Sequence, residues 1–590
     1  MPASWETELK KEVQQLAEDL KKPLESGSKV ASAISSGNKI TLDDLRATVD
    51  YIRQQNGCWD FFKPQLGDSL KDSNTGEAVT KDLYHPTPVR KPTIKEIKEI
   101  AEEFGLRLAE EDVTAYHEAL GAAVEAYEVL DKYVEPKPPV KYPRTPGYVP
   151  NKKDNPYNAW YVKCEIAGAE GGKLSGKRVA IKDTLAVAGV PLMCGSRLME
   201  GYVPEFDASV VTRILDEGGS ICGKAATEDM SFDGSSFTCS TGPILNFYDR
   251  TRSAGGSSAG CAVLLAAGEV DMAVGGDQGG SIRMPAAWSG VVGLKPTFGL
   301  VPYTGAMASE PVTDYLGPMA RSVRDCALLL EVIAGYDDGL DSRQRPDLHI
   351  PNYSQQLTER LDGVRVGLLQ EGFRGVDEEV ADIVRQAARR LEQAGATVEE
   401  VSVPAHRDAH SVYYIVNSEG THHSLFTARG INYGSRSFYP SSMVDYLWTR
   451  MRSRPNDTCV NLVCTYLMGE YMQKNYNNRY YMKAQNVTRV VTAEYDAVLR
   501  QYDVLVLPTM KTTAHKLPPH NLSTAEYLRH ISGLNDNTAQ FNLTGHPALS
   551  VNAAFSASGL PVGMMVVGRH YDETTVLRVG HVHEKLRDGQ

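Results

Sequence analysis

The stretch GGDQGGSIRMP, residues 275 to 285, sets a hydroxyl directly after two glycines, an arrangement suited to nucleophilic attack on a carbonyl. Gly279 and Gly280 let the backbone turn tightly ahead of Ser281, so that successive N–H groups aim at one point and can hold a developing oxyanion. Amide hydrolysis needs those two features together with a proton acceptor for the nucleophile and a proton source for the poor leaving amine. Taken alone, the stretch reads more plainly as a glycine turn whose serine bonds its own backbone. A second glycine-rich stretch, SAGGSSAG at residues 253 to 260, shifts the balance, because it places Ser257 and Ser258 at the head of an apolar run of small residues, Cys261 to Ala267. Roughly one helix and one strand separate the two loops, so both can reach the same sheet edge and form a serine cluster.

None of the 14 histidines falls in a pattern tied to either loop, which leaves lysine as the alternative base. Lys182 ends the strand-like run KRVAIKD. From an ordinary pKa of about 10.4 it would have to fall by roughly three units, about 4 kcal/mol, and desolvation beneath a sheet edge can supply that. A strand-end lysine by itself is usually only a solvated charge.

Together, VAIKD, GGSSAG and GGDQGGSIR resemble the motifs of the amidase signature family. The resemblance implies a Ser-Ser-Lys triad in which Ser281 is acylated, Ser257 bridges, its family counterpart following a cis peptide, and Lys182 is the base. It implies an oxyanion hole made by Gln278, Gly279, Gly280 and the Ser281 amide, and chemistry that needs neither metal nor organic cofactor. Asp277 and Arg283 flank the nucleophile and, with Ser258, are expected to support the loop; for the two charged residues, plain surface charge is an equal reading. Ala259 stands where the family's GGSSGG has glycine, a difference of one methyl.

The likeness runs from about Asn155 into the C-terminal region through FDASVVTRILDEGGSICGKA, VVGLKPTFGLVP, NLTGHPALSV and GLPVGMMVVGRH. NPYNAWYV, DQGGSIR and LVPYTGA are similar to bacterial amidases associated with nitrile degradation, which use a helical N-terminal domain in dimer formation; residues 92 to about 135 can match it, while residues 1 to about 91 have no counterpart. The implied activity is hydrolysis of small carboxylic acid amides to acid plus ammonia or amine, by a homodimer. Carbamate (urethane) cleavage by the same route stands next. The glutaminase component of a transfer-RNA amidotransferase is a further sibling role, against which the extra N-terminus and the DQGGS variant speak.

The elements that must position these residues are legible in the periodicity. Leu9, Val13, Leu16 and Leu20 share a helical face, Thr41 can cap a helix running to Asn56, and Thr93 with Glu96 forms a capping box ahead of Ile97, Ile100 and Phe104. A further helix follows through Val113, Tyr116, Leu120, Val124 and Tyr127. Prolines then crowd residues 136 to 156, as a linker or an extended wrap. Beyond it, strand-like runs at Val179–Ile181, Val364–Leu369, Val398–Val403, Val504–Leu507 and Val562–Val567 alternate with helical patterns at Ala208–Glu217 and Asp377–Ala394. The expected fold is therefore α/β, a mixed twisted sheet covered by helices on both faces (the amidase signature fold), with a helical N-terminal domain at 1–135, a linker at 136–156 and a catalytic domain at 157–590. The Tyr- and Met-rich segment from Ser437 to Tyr481 reads as helices packed on the sheet rather than as a lid over substrate.

A formal charge of -12 works against general nucleic-acid binding. The N-terminus lacks the apolar core of a signal peptide and no run approaches 18 apolar residues, so a soluble cytoplasmic protein is the default, with the nine cysteines as reduced, mostly buried thiols. Two short words, VAIK at 179 to 182 and His406-Arg407-Asp408, also occur in protein kinases, but neither a glycine-rich loop before the lysine nor a DFG accompanies them. His406 and His410 stand four apart without the glutamate of a zinc motif. A scaffold that has lost catalysis would show a broken set, and here Lys182, Ser257 and Ser281 are all present.

Overall fold

The computed structural model describes residues 89–429, 435–519 and 521–589. The helices expected over Leu9–Leu20 and Thr41–Asn56, and Cys58, lie outside these residues. The described residues up to Pro136 belong to one compact unit and those from Lys137 onward to a second.

In the first unit, α1 (Ile94–Phe104) begins at a complete capping box, with Thr93 accepting from the Glu96 amide and Glu96 accepting from that of Thr93, and it ends at Gly105 in the left-handed region. A second helix, α2 (Glu110–Leu130), follows, and Ile97, Ala101 and Val113 are buried.

The second unit is built on one 11-stranded sheet. Its strands are β1 (Trp160–Ile166), β2 (Arg178–Lys182), β3 (Ser220–Ala225), β4 (Met272–Asp277), β5 (Val292–Lys295), β6 (Tyr315–Ala320), β7 (Arg365–Leu369), β8 (Thr397–Val401), β9 (Val504–Pro508), β10 (Ala548–Phe555) and β11 (Pro561–Gly568). The spatial order is β1-β3-β2-β4-β6-β5-β10-β11-β9-β7-β8. Pairing is parallel for β3-β2-β4 at one side and β9-β7-β8 at the other, and antiparallel between. Helices α3 (Ser209–Asp216), α4 (Ala259–Ala266), α5 (Arg283–Ser289), α6 (Val323–Ile333), α7 (Glu378–Arg390), α8 (His406–Thr421), α9 (Ser441–Ser453), α10 (Val460–Tyr476), α11 (Arg479–Leu499), α12 (Thr524–Ile531), α13 (Ala539–Thr544) and α14 (Glu573–Asp588) complete it.

The sheet is covered on both faces, and strand alternation sorts the residues between them. Val179 and Ile181 of β2, with Met272 and Val274 of β4, point into a core shared with Ile214 of α3, Leu330 of α6, Val384 of α7 and Val576 of α14. Ala180 and Ala273 point the other way, against Cys261 to Leu265 of α4. That second face matters for chemistry. By period two, Lys182 and Asp277 leave the strand ends on the side of Ala180 and Ala273, beneath α4.

Residues 137 to 156 run as an extended wrap along this unit: Lys141 Nζ bonds Asp216 at 2.6 Å, Arg144 pairs with Asp207, and Tyr148 bridges to Lys163. Helix α7 extends through a tighter turn to Ala394, where Gly395 stops it. The Ser437–Tyr481 segment forms α9, α10 and the start of α11, and its first residues also line a cavity. The described cysteines carry no disulfide; Cys194, Cys239, Cys261 and Cys326 are buried, while Cys164, Cys222, Cys459 and Cys464 are half-buried. Among the described residues no helix is long and apolar enough to cross a membrane.

Candidate active site

The parallel pairing of β2 with β4 sets Ile181 opposite Val274, so both strands end together and deliver Lys182 and the 277–283 loop to one edge. Between them in sequence, α4 descends behind the sheet with Ser257 and Ser258 just ahead of its first turn. Its residues AGCAVLLA are small or apolar and almost entirely buried, which lets the helix sit close enough to Ala180 and Ala273 for its N-terminus to meet the lysine.

Lys182 Nζ lies 2.7 Å from Ser257 Oγ and 3.3 Å from the Gly276 carbonyl, and all of its side chain is buried. Burial pushes its pKa down from 10.5 to about 8, against the opposing pull of acidic groups that include Asp277. Ser257 follows a cis peptide at Gly256, and its carbonyl accepts from the Thr227 hydroxyl at 2.8 Å. The adjoining Ser258 does not cap α4 with its side chain. Its hydroxyl donates to the Gly276 carbonyl at 3.0 Å and accepts from the Gly276 amide at 3.2 Å, while its amide donates to the Ser281 carbonyl at 3.1 Å. Three contacts thus tie the two serine loops together. Ser281 itself keeps 5% of its surface exposed, in contrast to the fully buried Ser257 and Lys182.

Asp277 and Arg283 are fully buried, which rejects the reading of them as surface charges. Arg283 donates through Nη2 to Asp277 Oδ1 at 2.9 Å and through Nε to Oδ2 at 3.0 Å. The same carboxylate accepts from the Gly280 amide at 2.7 Å, the Ile282 amide at 3.1 Å and Asn542 Nδ2 at 2.8 Å. Burial would raise the Asp277 pKa, but Arg283 outweighs it and, with Asn542, holds the group down at about 2. A charge bonded on every side in this way acts as the peg around which the 277–283 turn is wound. One amide of the expected oxyanion set needs correction, because the Gly280 N–H is spent on this carboxylate. Gln278, Gly279 and Ser281 are left as the candidate donors.

Several contributors carry no local signal in the sequence. Thr538 Oγ1 donates to the Gly279 carbonyl at 2.6 Å, and its own carbonyl accepts from Arg283 Nη1 at 2.9 Å. Asn542 joins Arg283 and Asp277, donating to the latter's carbonyl at 2.9 Å as well. Gln278 Nε2 donates to the Tyr303 hydroxyl at 2.9 Å, and a methyl built on Gly276 would lie 3.5 Å from that Nε2 and 3.6 Å from Lys182 Nζ, so both side chains flank Gly276. Tyr303 opens onto a cavity of about 560 Å³ whose walls include Met307, Leu340, Phe438, Met443 and Trp448. His406 is buried against Tyr495, its Nδ1 2.6 Å from the tyrosine hydroxyl, and His410 bonds Asn535, so the two do not share a ligand.

A family model described as Amidase matches residues 157–577. An enantioselective amidase of Rhodococcus rhodochrous is 42% identical over 463 residues, which is 78% of this chain and 89% of that protein. A glutamyl-tRNA(Gln) amidotransferase component of Methanosarcina mazei is 36% identical over 476 residues, 78% of this chain and 94% of that protein. The crystal structure of the corresponding Thermotoga maritima protein superposes with a TM-score of 0.61 at 30% identity, covering 74% of this chain and 88% of that one.

Proposed function

Because the chain belongs to the Amidase family, whose members carry the amidase signature, we propose that it hydrolyses small carboxylic acid amides through an acyl-serine intermediate, with Ser281, Ser257 and Lys182 as the working residues. The observation that carries this reading is the 2.7 Å contact between Lys182 Nζ and Ser257 Oγ in a site closed to water, on a loop bonded to that of Ser281.

An uncharged Lys182 has two N–H groups and one lone pair. With one N–H directed to the Gly276 carbonyl, the lone pair accepts the Ser257 hydroxyl proton as Ser257 takes that of Ser281. Ser281 Oγ bonds to the amide carbonyl carbon, and the carbonyl electron pair moves onto oxygen, facing the amides of Gln278, Gly279 and Ser281. As the oxyanion collapses, the C–N bond breaks, and Ser257 hands a proton to the departing nitrogen and regains one from Lys182. Water then attacks the ester by the same relay, releasing the acid and restoring Ser281. Tyr303 and the cavity behind it would receive the acyl chain.

A panel of amides, esters and carbamates, with ammonia or amine release measured, tests the assignment. Ser281→Ala should abolish turnover, Lys182→Ala should nearly do so, and Ser257→Ala should leave a small residue. Undiminished turnover in Ser281→Ala overturns the reading. Likeness to the Methanosarcina amidotransferase protein favours a second reading, a glutaminase that passes ammonia to a partner; glutamine as the sole good substrate would select it. A homodimeric assembly, as in the amidases that the chain resembles, is part of the same proposal.

A further inference from the structure

Gly279 has no side chain because two others stand in its place: a methyl built there would lie 2.4 Å from the Tyr413 hydroxyl and 3.1 Å from Asn535 Nδ2. Tyr413 reaches in from α8, and Asn535 from the chain ahead of α13. Both present donors. Burial raises the Tyr413 pKa, so its hydroxyl keeps its proton throughout the working range. The orientation of Asn535 is set by His410, three residues before Tyr413 on α8, whose Nε2 lies 3.0 Å from Asn535 Oδ1. An amide oxygen can only accept, so Nε2 carries the hydrogen and the NH2 end of Asn535 is turned toward Gly279.

Among the described residues neither the Tyr413 hydroxyl nor Asn535 Nδ2 has a hydrogen-bond partner. Tyr413 is 6% exposed and Asn535 half-buried, but neither donor atom is fully enclosed, so both stay open to an acceptor brought by a ligand. The acceptor that suits them is uncharged. Neither group is a cation, the nearby Lys511 ammonium is engaged by Asp536 at 2.8 Å, and that carboxylate also lies 3.8 Å from His410, where it would repel an anion.

We propose that Tyr413 and Asn535 form a subsite beside the nucleophile loop that binds a neutral carbonyl oxygen of the substrate, so that the favoured amides carry a second carbonyl near the scissile one, as N-acylamino-acid amides do. The ammonia released from a primary amide has no carbonyl, which puts this group in the acyl part. The proposal rests on Ser281 being the nucleophile, since only then does the Gly279 loop border the reacting carbon.

The test compares N-acetylalaninamide with an alkanamide of equal length lacking the second carbonyl, by ammonia release, in the wild type and in Tyr413→Phe and Asn535→Ala. The wild type should prefer the first by about tenfold in kcat/KM, the effect of two directed hydrogen bonds to the second carbonyl. Each variant should lose about tenfold on that substrate, chiefly through KM, while the alkanamide changes by less than about twofold. A wild type indifferent to the second carbonyl overturns the proposal whether or not the variants fold, and so does an equal loss on both substrates, which marks mere support of the loop. Ser281→Ala, assayed alongside, separates the two readings: turnover retained there removes the nucleophile assignment, whereas turnover lost there with no carbonyl preference in the wild type removes only the subsite.

Discussion

Lys182 and Asp277 leave adjacent parallel strands on the same face, yet only the aspartate is surrounded by partners that stabilise its charge. The lysine meets a hydroxyl and a carbonyl, in a setting that favours the free amine. The two ends of the same sheet edge are thus specialised in opposite directions, one to hold a charge permanently and one to shed it.

Activity should follow the free amine. With Lys182 titrating at about 8, log kcat/KM is expected to climb with a slope of about one below that pH and level off above it. A profile flat from pH 6 to pH 9 on an amide substrate would exclude Lys182 as the base.

Stability should move the opposite way when the lysine is replaced. Unfolded, its ammonium keeps the proton up to about 10.5, whereas in the folded chain it releases it at about 8. Below pH 8 the folded state therefore carries a poorly solvated cation at a cost of about 3 kcal/mol, and stability is regained as pH rises from 8 to 10.5. Lys182→Met, similar in length and apolar, is expected to unfold at higher denaturant concentration than the wild type at pH 7 while being inactive, and the difference should shrink toward pH 10.5.

Arg283→Met leaves the Asp277 carboxylate buried with its main counter-charge removed, and should destabilise the protein by about 3–5 kcal/mol in denaturant melts. Activity should fall with it, because the Gly280 and Ile282 amides are wound on that carboxylate. A loss below about 1 kcal/mol would show that the pair is not what holds the turn.

Gly280→Ala should be inactive in the same amide assay for two independent reasons. The residue has φ +133°, and its new methyl would lie 2.2 Å from Thr538 Oγ1. Thr538→Ala removes only the nearest atom, leaving the Thr538 Cβ position 2.8 Å and Met284 Cγ 3.0 Å from the new methyl, and should fail to restore turnover, since the backbone angle also stays unfavourable to any L side chain. Recovery in the double variant would trace the defect to the Thr538 Oγ1 contact alone.

How far the sequence reveals this arrangement depends on the range over which each residue acts. Lys182, Ser257 and Ser281 stand in short stretches whose local texture, a β-rich run and two glycine turns, points to a strand end and two tight loops, and β2, α4 and β4 lie where that texture requires. The capping box at Thr93 is equally local. Asp277 and Arg283 are ambiguous in the sequence, because charge next to glycine says nothing about burial; β4 is covered on both faces, and that decides it. Thr538, Asn542, Tyr413 and Asn535 reach the nucleophile loop from α8, α13 and the chain between them, brought there by a sheet order that no periodicity encodes. The NLTGHPALSV motif contains Asn542 in plain view, but its role is visible only once β10 is seen beside β5.

That placement governs the order in which the molecule can be assembled. Strands β10 and β11, which follow every other strand of the sheet in sequence, occupy its middle and separate the half bearing Lys182 from the half bearing β7 to β9. Until they arrive, the serine loops have neither their central scaffold nor Asn542. A chain extending only as far as β9 would therefore hold two unjoined partial sheets, and the hydrolytic centre would come together only once both of these strands had been added.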